Sequence, residues 1–340
     1  DLHRRRHSFP TRRSSDLPVL RFPGLVVTEW KNPMQRISWS PVRDANPFLH
    51  YIEAFWMLAG RSDVALVAKL AANMQNYSDD GTTLFGAYGH RWRKHFGYDQ
   101  IVKIISELKR DPTSRRCVLQ MWDGYVELDR AIRGGKDVCC NHAITFDPCD
   151  GVLNMTVSNR SNDLVWGAYG ANVVHMSILH EYVAAQAGLR LGTYFQCSSN
   201  LHLYLENPVT AKLVSYDPLA QERLVVNGLN FDINHAHKLQ ESIFLNQEML
   251  SDTEMVHVLN TMLDSFLAGE QVGAGFEVRS LDILGTMCDA FNVYKNTGPR
   301  DAVAFLQNSS ASESYWVQNA VAWLMRRPSY MKETNAEQAT

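Results

Sequence analysis

Asp137-Val-Cys-Cys-Asn-His-Ala-Ile-Thr-Phe146 is the stretch on which the reading of this chain turns. It reads as a short strand carrying two adjacent thiols. Side chains alternate faces along a strand, so Cys139 and Cys140 are expected on opposite sides, one in packing and one toward a cleft. Asp147-Pro-Cys-Asp-Gly151 follows, a five-residue turn by its chemistry. Val152 to Asn159 then alternates Leu153, Met155 and Val157 with Asn154, Thr156 and Ser158, which predicts a second strand with one buried face. This strand ends in the polar cluster Asn159-Arg-Ser-Asn-Asp163. A strand–turn–strand hairpin of this length sets Arg160 beside Cys140, and a permanent cation next to a thiol lowers its pKa.

Outward from the hairpin, the strongest helix signal is upstream. Asn46 is a good N-cap, Pro47 suits the first helical position and Gly60 the stop. Phe48 to Ala59 between them is apolar on nearly every face, so the helix is expected to be buried. Glu53 sits in its middle, where a carboxyl either pairs with a cation, carries a raised pKa, or turns to solvent. Arg36-Ile-Ser-Trp39 reads as a short strand, and Gly86-Ala-Tyr-Gly-His-Arg-Trp-Arg93 as a packed aromatic and basic turn. Residues 98–110 have helical periodicity that Asp111-Pro112 stops. Ser114-Arg-Arg116 precedes a strand at Cys117–Trp122, and the arginine pair reads as a solvated edge or an anion clamp.

Downstream, Asn172 to Ala187 reads as a helix with Gly188 as its stop, and His175 and His180 as part of its face. Thr193–Ser199 is a strand leading to Asn200-Leu-His-Leu-Tyr204, in which His202 and Tyr204 share a face. After about residue 210 the segments 239–249, 254–268, 281–294, 301–307 and 314–326 all read as helical.

The 340 residues are 45% hydrophobic and 20% charged with a net charge of −3, ordinary globular values that call for no nucleic-acid partner. Residues 1–17 hold five Arg and two Asp without apolar periodicity or a secretion-signal core. They read as a non-native or disordered basic segment outside the fold. The six Cys include no CxxC pair, which suggests reduced thiols in a cytoplasmic protein. Cys139, Cys140 and His142 lack the separated ligand pairs of zinc sites, so no metal site is expected. No apolar run approaches the roughly 20 residues of a membrane span.

Taken in order and spacing, Asp111-Pro-Thr-Ser-Arg-Arg116, Cys140, Arg160-Ser-Asn-Asp163, Asn172 and His202-Leu-Tyr204 resemble the thymidylate synthase family, whose superfamily includes the deoxycytidylate hydroxymethylases. The resemblance spans roughly residues 25–207. It implies an α/β (α+β) fold, a large mixed β-sheet with flanking helices. On this reading residues 18–210 are the catalytic core and 211–340 a helical C-terminal extension. It implies transfer of a one-carbon unit from 5,10-methylenetetrahydrofolate to C5 of a pyrimidine nucleotide monophosphate, with dUMP giving dTMP. Water in place of hydride would make a hydroxymethylase of dUMP, dCMP or CMP. A non-catalytic nucleotide-binding or regulatory protein on the same fold is a third reading.

The resemblance also assigns roles. Cys140 is the nucleophile at C6 of the ring, and Arg160 lowers its pKa and binds phosphate. Arg115 and Arg116 reach the phosphate of the partner subunit in a homodimer. Ser161 and Asp163 hold phosphate and pyrimidine, and His202 and Tyr204 the sugar hydroxyl. Glu53 manages proton transfers, and Tyr88 helps remove the C5 proton. Asn172 reads the base, and its carboxamide suits the N3–H and O4 of uracil. There are departures from the family pattern. Cys139-Cys140-Asn141 stands for Pro-Cys-His, and Asn159 stands for Gln. The loop before Asn172 is one residue longer, and Met74 stands where a Trp would shield the intermediate. The closing C-terminal tail has no counterpart, and only Arg36 and Arg43 are present to replace an N-terminal phosphate arginine. An unshielded intermediate admits water and favours the hydroxymethyl product.

Overall fold

The computed structural model describes residues 18–214, 223–226, 229–232 and 238–331, with side chains for 18–213 and 238–331. The basic segment 1–17 lies outside the described residues. Two short strands, β1 (Val19–Arg21) and β2 (Val26–Trp30), lead to α1 (Pro47–Leu58). The α1 start is capped as its sequence predicts: Asn46 Oδ1 accepts from the N–H of Phe48 and Leu49 at 3.1 and 3.2 Å. Gly60 closes it at φ +69°. Ten of the twelve α1 residues are buried. Phe48, Tyr51, Ile52 and Phe55 are each fully enclosed, a stabilisation of about 1.5–3 kcal/mol per side chain.

Next come α2 (Val64–Leu70), a 3₁₀ turn (Ala72–Tyr77), α3 (Tyr88–Arg93) and α4 (Gln100–Arg110). The aromatic and basic stretch is thus a short helix rather than a turn. Gly89 lets α3 cross α1 in contact, because a Cβ there would stand 2.1 Å from the Met57 carbonyl oxygen. The strand β3 (Val118–Gln120) and helix α5 (Glu127–Ile132) precede the hairpin of β4 (Asn141–Cys149) and β5 (Val152–Asn159). The hairpin turn is tighter than expected. Asp150 and Gly151 have φ of 52° and 73°, the two left-handed residues of a turn matched to strand twist, so Asp147, Pro148 and Cys149 remain in the ladder.

A two-residue strand β6 (Asn162–Asp163) and a π-helical turn (Leu164–Ala171) lead into α6 (Asn172–Ala187). Gly188 ends α6 at φ +72°. The strands β7 (Arg190–Ser198) and β8 (Leu201–Tyr204) follow. The main sheet has the order β2-β7-β5-β4-β3, with β5 parallel to β7 and the other pairs antiparallel. The helix α6 is the crossover that parallel pairing requires. A smaller sheet, β1-β8-β6, stands beside it. The expected mixed sheet with flanking helices is what the chain forms.

After α7 (Pro208–Val214) and the hairpin of β9 (Arg223–Val226) and β10 (Leu229–Asp232), four helices complete the described chain: α8 (Asp252–Ala268), α9 (Arg279–Thr297), α10 (Pro299–Gln307) and α11 (Tyr315–Met325). They close over α1 by ring contacts. Phe48 meets Phe291 and Trp323, and Tyr51 meets Trp316. One hydrophobic cluster joins them to the sheet.

Two expected elements do not form. Residues 239–249 are irregular instead of helical. The buried Glu181 carboxylate accepts the backbone N–H of Ile243 and Phe244 at 2.7 and 2.9 Å, as well as the Ser242 hydroxyl, and this replaces helical bonding. Arg36 to Trp39 makes no strand, because Arg36 turns inward to pair with the same Glu181.

Candidate active site

The carboxyl ends of β5 and β7 and the start of antiparallel β4 meet at one end of the sheet, where Asn141, Asn159 and Ser198 are register partners. Ligands of open α/β sheets bind outside such carboxyl ends. The two cysteines lie just ahead of β4 rather than in it. Their backbone groups are taken elsewhere: the Cys140 carbonyl accepts from Arg160 N at 2.9 Å, and the N–H groups of Cys140 and Asn141 both donate to Tyr88 Oη at 3.2 Å. A register shift between Asn141 and Ala143 re-aims the strand start. The expected division of the thiols holds all the same. Cys139 is 1% exposed, whereas Cys140 is half-buried.

Arg160 spans this junction. Its Nε donates to the Cys139 carbonyl at 2.8 Å and its Nη2 to the Val138 carbonyl at 2.9 Å, and Nη2 lies 3.6 Å from Cys140 Sγ. The Cys140 thiol sits under opposed influences. Burial pushes its pKa up, with Asp137 and Glu127 adding to the effect, and the Arg160 charge offsets part of the rise. Tyr88 is partly buried, and burial raises its phenol well above the ordinary value, so the hydroxyl keeps its proton and can donate it.

The second group is at Glu53 and His175. Glu53, on α1, keeps 14% of its side chain accessible. Burial raises its pKa to about 7. His175 Nε2 lies 3.4 Å from the carboxyl, and burial lowers its own pKa to about 4. Near pH 7 the histidine is therefore neutral and the carboxyl is about half protonated, so the two do not meet as an ion pair. His50, equally enclosed, stands edge-on to His175 with ring centres 6.3 Å apart. Read from sequence as a helix face, His175 is instead the neighbour of the site's carboxyl. No periodicity flags it, because α6 is buried on nearly every side.

The third group gathers around β6. Asn172 Nδ2 donates to Asn162 Oδ1 at 3.0 Å. The loop before Asn172 forms a kinked π-helical turn, a form that often marks functional sites. Asp163 caps that turn and is the register partner of His202. His202 stacks edge-on with Tyr204 at 5.0 Å. Burial raises the Tyr204 phenol, and Asp163 and Cys140 both lie close enough to raise it further. Cys140, Arg160, Tyr88, Asp163, His202 and Tyr204 thus share one neighbourhood. Ser161 is half-buried between Arg160 and β6.

Arg115 and Arg116 stay apart from this neighbourhood, exposed on the loop before β3. Arg36 and Arg43 are not free to replace a phosphate arginine. Arg36 is sealed against Glu181, and Arg43 stacks 3.9 Å over the Trp166 ring and donates to the Val165 carbonyl. Met74 is partly buried in the 3₁₀ turn against the core. Asn141 and Asn159 are 0% and 1% exposed, and both amide atoms of Asn141 and the Oδ1 of Asn159 have no hydrogen-bond partner. Buried polar atoms are nearly always satisfied, so this pair is a place for a polar atom of a ligand or a water. Among the described residues no group of three or more His, Cys, Asp or Glu is placed to hold a metal ion, and no helix is long and apolar enough to cross a membrane.

A thiol beside an arginine at the carboxyl ends of parallel strands and a carboxyl that titrates near neutrality are groups of the kind covalent nucleophilic catalysis uses. Comparison with known proteins places the chain: residues 46–258 match the family model for thymidylate synthase, and the chain belongs to that family. It is 53% identical over 196 residues to a deoxyuridylate hydroxymethyltransferase of Pseudomonas phage M6, which covers 57% of this chain and 55% of that protein. It is 36% identical over 252 residues to a deoxyuridylate hydroxymethyltransferase of Bacillus phage SP01, covering 71% of this chain and 62% of that one. The chain therefore spans less than two thirds of either relative. The crystal structure of thymidylate synthase from T4 phage shares the fold, with a TM-score of 0.52, 20% identity, and coverage of 74% of this chain and 87% of that one.

Proposed function

We propose that the chain transfers a one-carbon unit from 5,10-methylenetetrahydrofolate to C5 of dUMP and finishes with water, giving the hydroxymethyl nucleotide. The observation that carries the chemistry is the Cys140 thiol 3.6 Å from Arg160 Nη2. Attack of a thiolate at C6 makes C5 nucleophilic, which the neutral ring is not. Arg160 donates from Nε and Nη2 to two backbone carbonyls and to no carboxylate, so its charge remains available to the thiolate and a substrate phosphate. Tyr88 holds the Cys140 backbone and, as a protonated phenol, serves proton removal at C5 through water. 5,10-Methylenetetrahydrofolate supplies the carbon when a proton reaches its ring nitrogen, and Glu53 with a pKa of about 7 fits that need. Asn172 takes the base, His202 and Tyr204 the sugar, and Ser161 and Asp163 the phosphate and ring. Arg115 and Arg116, solvent-facing in one chain, serve the phosphate site of a partner in a homodimer.

The hydroxymethyl outcome is supported by Met74 in place of a shielding Trp and by both phage relatives being named deoxyuridylate hydroxymethyltransferases. Methyl transfer to give dTMP is the second reading, supported by the family model. Product mass from dUMP and 5,10-methylenetetrahydrofolate separates them. Hydroxymethyl product without dihydrofolate is expected, because no hydride leaves the folate. A methyl product with equal dihydrofolate overturns the reading. Tritium release from C5-labelled dUMP tests catalysis itself, since a binding protein releases none.

A further inference from the structure

An amide can be turned end for end at little cost in shape, and which end faces a ligand decides what the ligand must offer. Asn172 is not free in this respect. Its Nδ2 donates to Asn162 Oδ1 at 3.0 Å, Asn162 Nδ2 donates to Gln196 Oε1 at 2.7 Å and to Ser198 Oγ at 3.0 Å, and Gln196 Nε2 donates to the Ala168 carbonyl at 3.3 Å. The last link fixes all the others. A backbone carbonyl only accepts, so the end of Gln196 that faces it is the NH₂. Gln196 then offers oxygen to Asn162, Asn162 offers oxygen to Asn172, and Asn172 is held with its NH₂ inward.

Asn162 and Gln196 are 2% and 0% exposed, so a reversed amide would set donor against donor with no water to relieve it. Gly167 is shaped to the same junction. A Cβ there would stand 2.4 Å from Asn162 Oδ1 and 3.3 Å from Asn172 Nδ2. Gly167 and Ala168 both belong to the π-helical turn, so this turn also delivers the carbonyl that anchors the relay. No hydrogen bond among the described residues uses Asn172 Oδ1, and the residue is half-buried.

We propose that Asn162 and Gln196 are positioning residues for base choice: they present Asn172 Oδ1 as a fixed acceptor, which pairs with the N3–H of uracil and opposes the N3 lone pair of cytosine. The proposal rests on the reading that Asn172 faces the pyrimidine of the nucleotide. Freed of the relay, the Asn172 amide can turn over and serve either base.

The test is tritium release from C5-labelled dUMP and dCMP with the full chain, comparing kcat/KM for the two. This ratio does not depend on how much of a variant is folded. Asn162→Ala and Gln196→Met are each expected to lower the dUMP-over-dCMP ratio about tenfold or more, while Cys140 alkylation by iodoacetamide keeps its wild-type rate. Two variants guard against one failing to fold. A ratio unchanged in both, with dUMP turnover reduced, overturns the proposal by reducing the relay to a structural role. A wild type that uses dUMP and dCMP equally overturns the uracil reading beneath it, a result visible before any variant is made.

Discussion

Cys139 and Cys140 are chain neighbours, each has an arginine at hand, and the two arginines are employed differently. The Arg91 guanidinium near Cys139 is fully buried and 2.8 Å from the equally buried Glu127 carboxylate. Its Nη2 also donates to the Phe85 carbonyl, and its Nη1 reaches the His95 ring. Its charge is answered inside the protein, and burial drives the Cys139 pKa far up. Arg160 beside Cys140 spends its hydrogen bonds on two carbonyls and the sulfur, none of them a carboxylate. A cation answered by an internal carboxylate holds structure, whereas one left without such an answer can receive an anion. This difference, more than distance to a positive charge, separates the thiol that packs from the thiol proposed to react.

The largest expected effect breaks the pair apart. Cys140→Ser should lower tritium release from C5-labelled dUMP by on the order of 10⁴-fold or more, because a hydroxyl at this position has no comparable anion. Cys139→Ser should retain most of the activity. The reverse result would move the nucleophile by one residue and reassign Arg91 as the activating cation.

Glu53 comes next. Glu53→Gln should cost about 10²–10⁴-fold in turnover if the carboxyl moves protons. The same group predicts a pH signature. The folded chain holds a proton from the ordinary carboxyl value of 4.5 up to about 7 that the unfolded chain has given up. Stability therefore falls as pH rises through that window, by up to about 3 kcal/mol above it. Thermal unfolding at pH 5 and pH 8 should show Glu53→Gln gaining stability relative to wild type as pH rises, since the buried His50 and His175, whose lowered pKa values favour the fold at the higher pH, contribute equally to both proteins. A variant with the same pH dependence as wild type would show that Glu53 does not titrate there.

The hairpin and α1 were legible because their signals are local. Alternation along Val152–Asn159 places Leu153, Met155 and Val157 inside, and the Asn46–Pro47 start states its own cap. Cys140 and Arg160 followed from hairpin length. Other features depend on partners far away in sequence. Residues 239–249 have helical spacing, yet their N–H groups are claimed by Glu181, some 60 positions earlier. Arg36 looks like strand sequence until that same carboxylate draws it in. The role of Asn162 emerges only when β7 brings Gln196 beneath it. The turn at Asp150–Gly151 was readable in principle, since an Asp-Gly pair favours the left-handed conformation, but the Pro and Cys before it disguised where the strand ends.

Arg160→Met sharpens the comparison at smaller amplitude. Burial would then raise the Cys140 pKa with no cation to offset it. Alkylation of the Cys140 peptide, followed by mass spectrometry across pH, should move to higher pH and slow by about tenfold at pH 8. An unshifted profile would mean that Arg160 serves the phosphate alone.

The smallest expected effect on the reactive thiol comes from the other arginine, and it is the sternest check on the distinction. Arg91→Met strands the Glu127 carboxylate in a fully buried position. Removing one partner of a buried ion pair typically costs 3–5 kcal/mol of stability, so the variant should unfold at markedly lower temperature or denaturant. Yet its Cys140 alkylation rate, measured on the folded fraction below that transition, should stay within about twofold of wild type. Arg91 acts on Cys139, and the nearest carboxylates weigh against Cys140 only as lesser contributions behind burial and Arg160. Stability lost with reactivity kept would set Arg91 apart as a structural cation. A Cys140 rate that falls in step with Arg160→Met would instead mean that both arginines feed one thiolate, and the separation drawn between the two cysteines would fail.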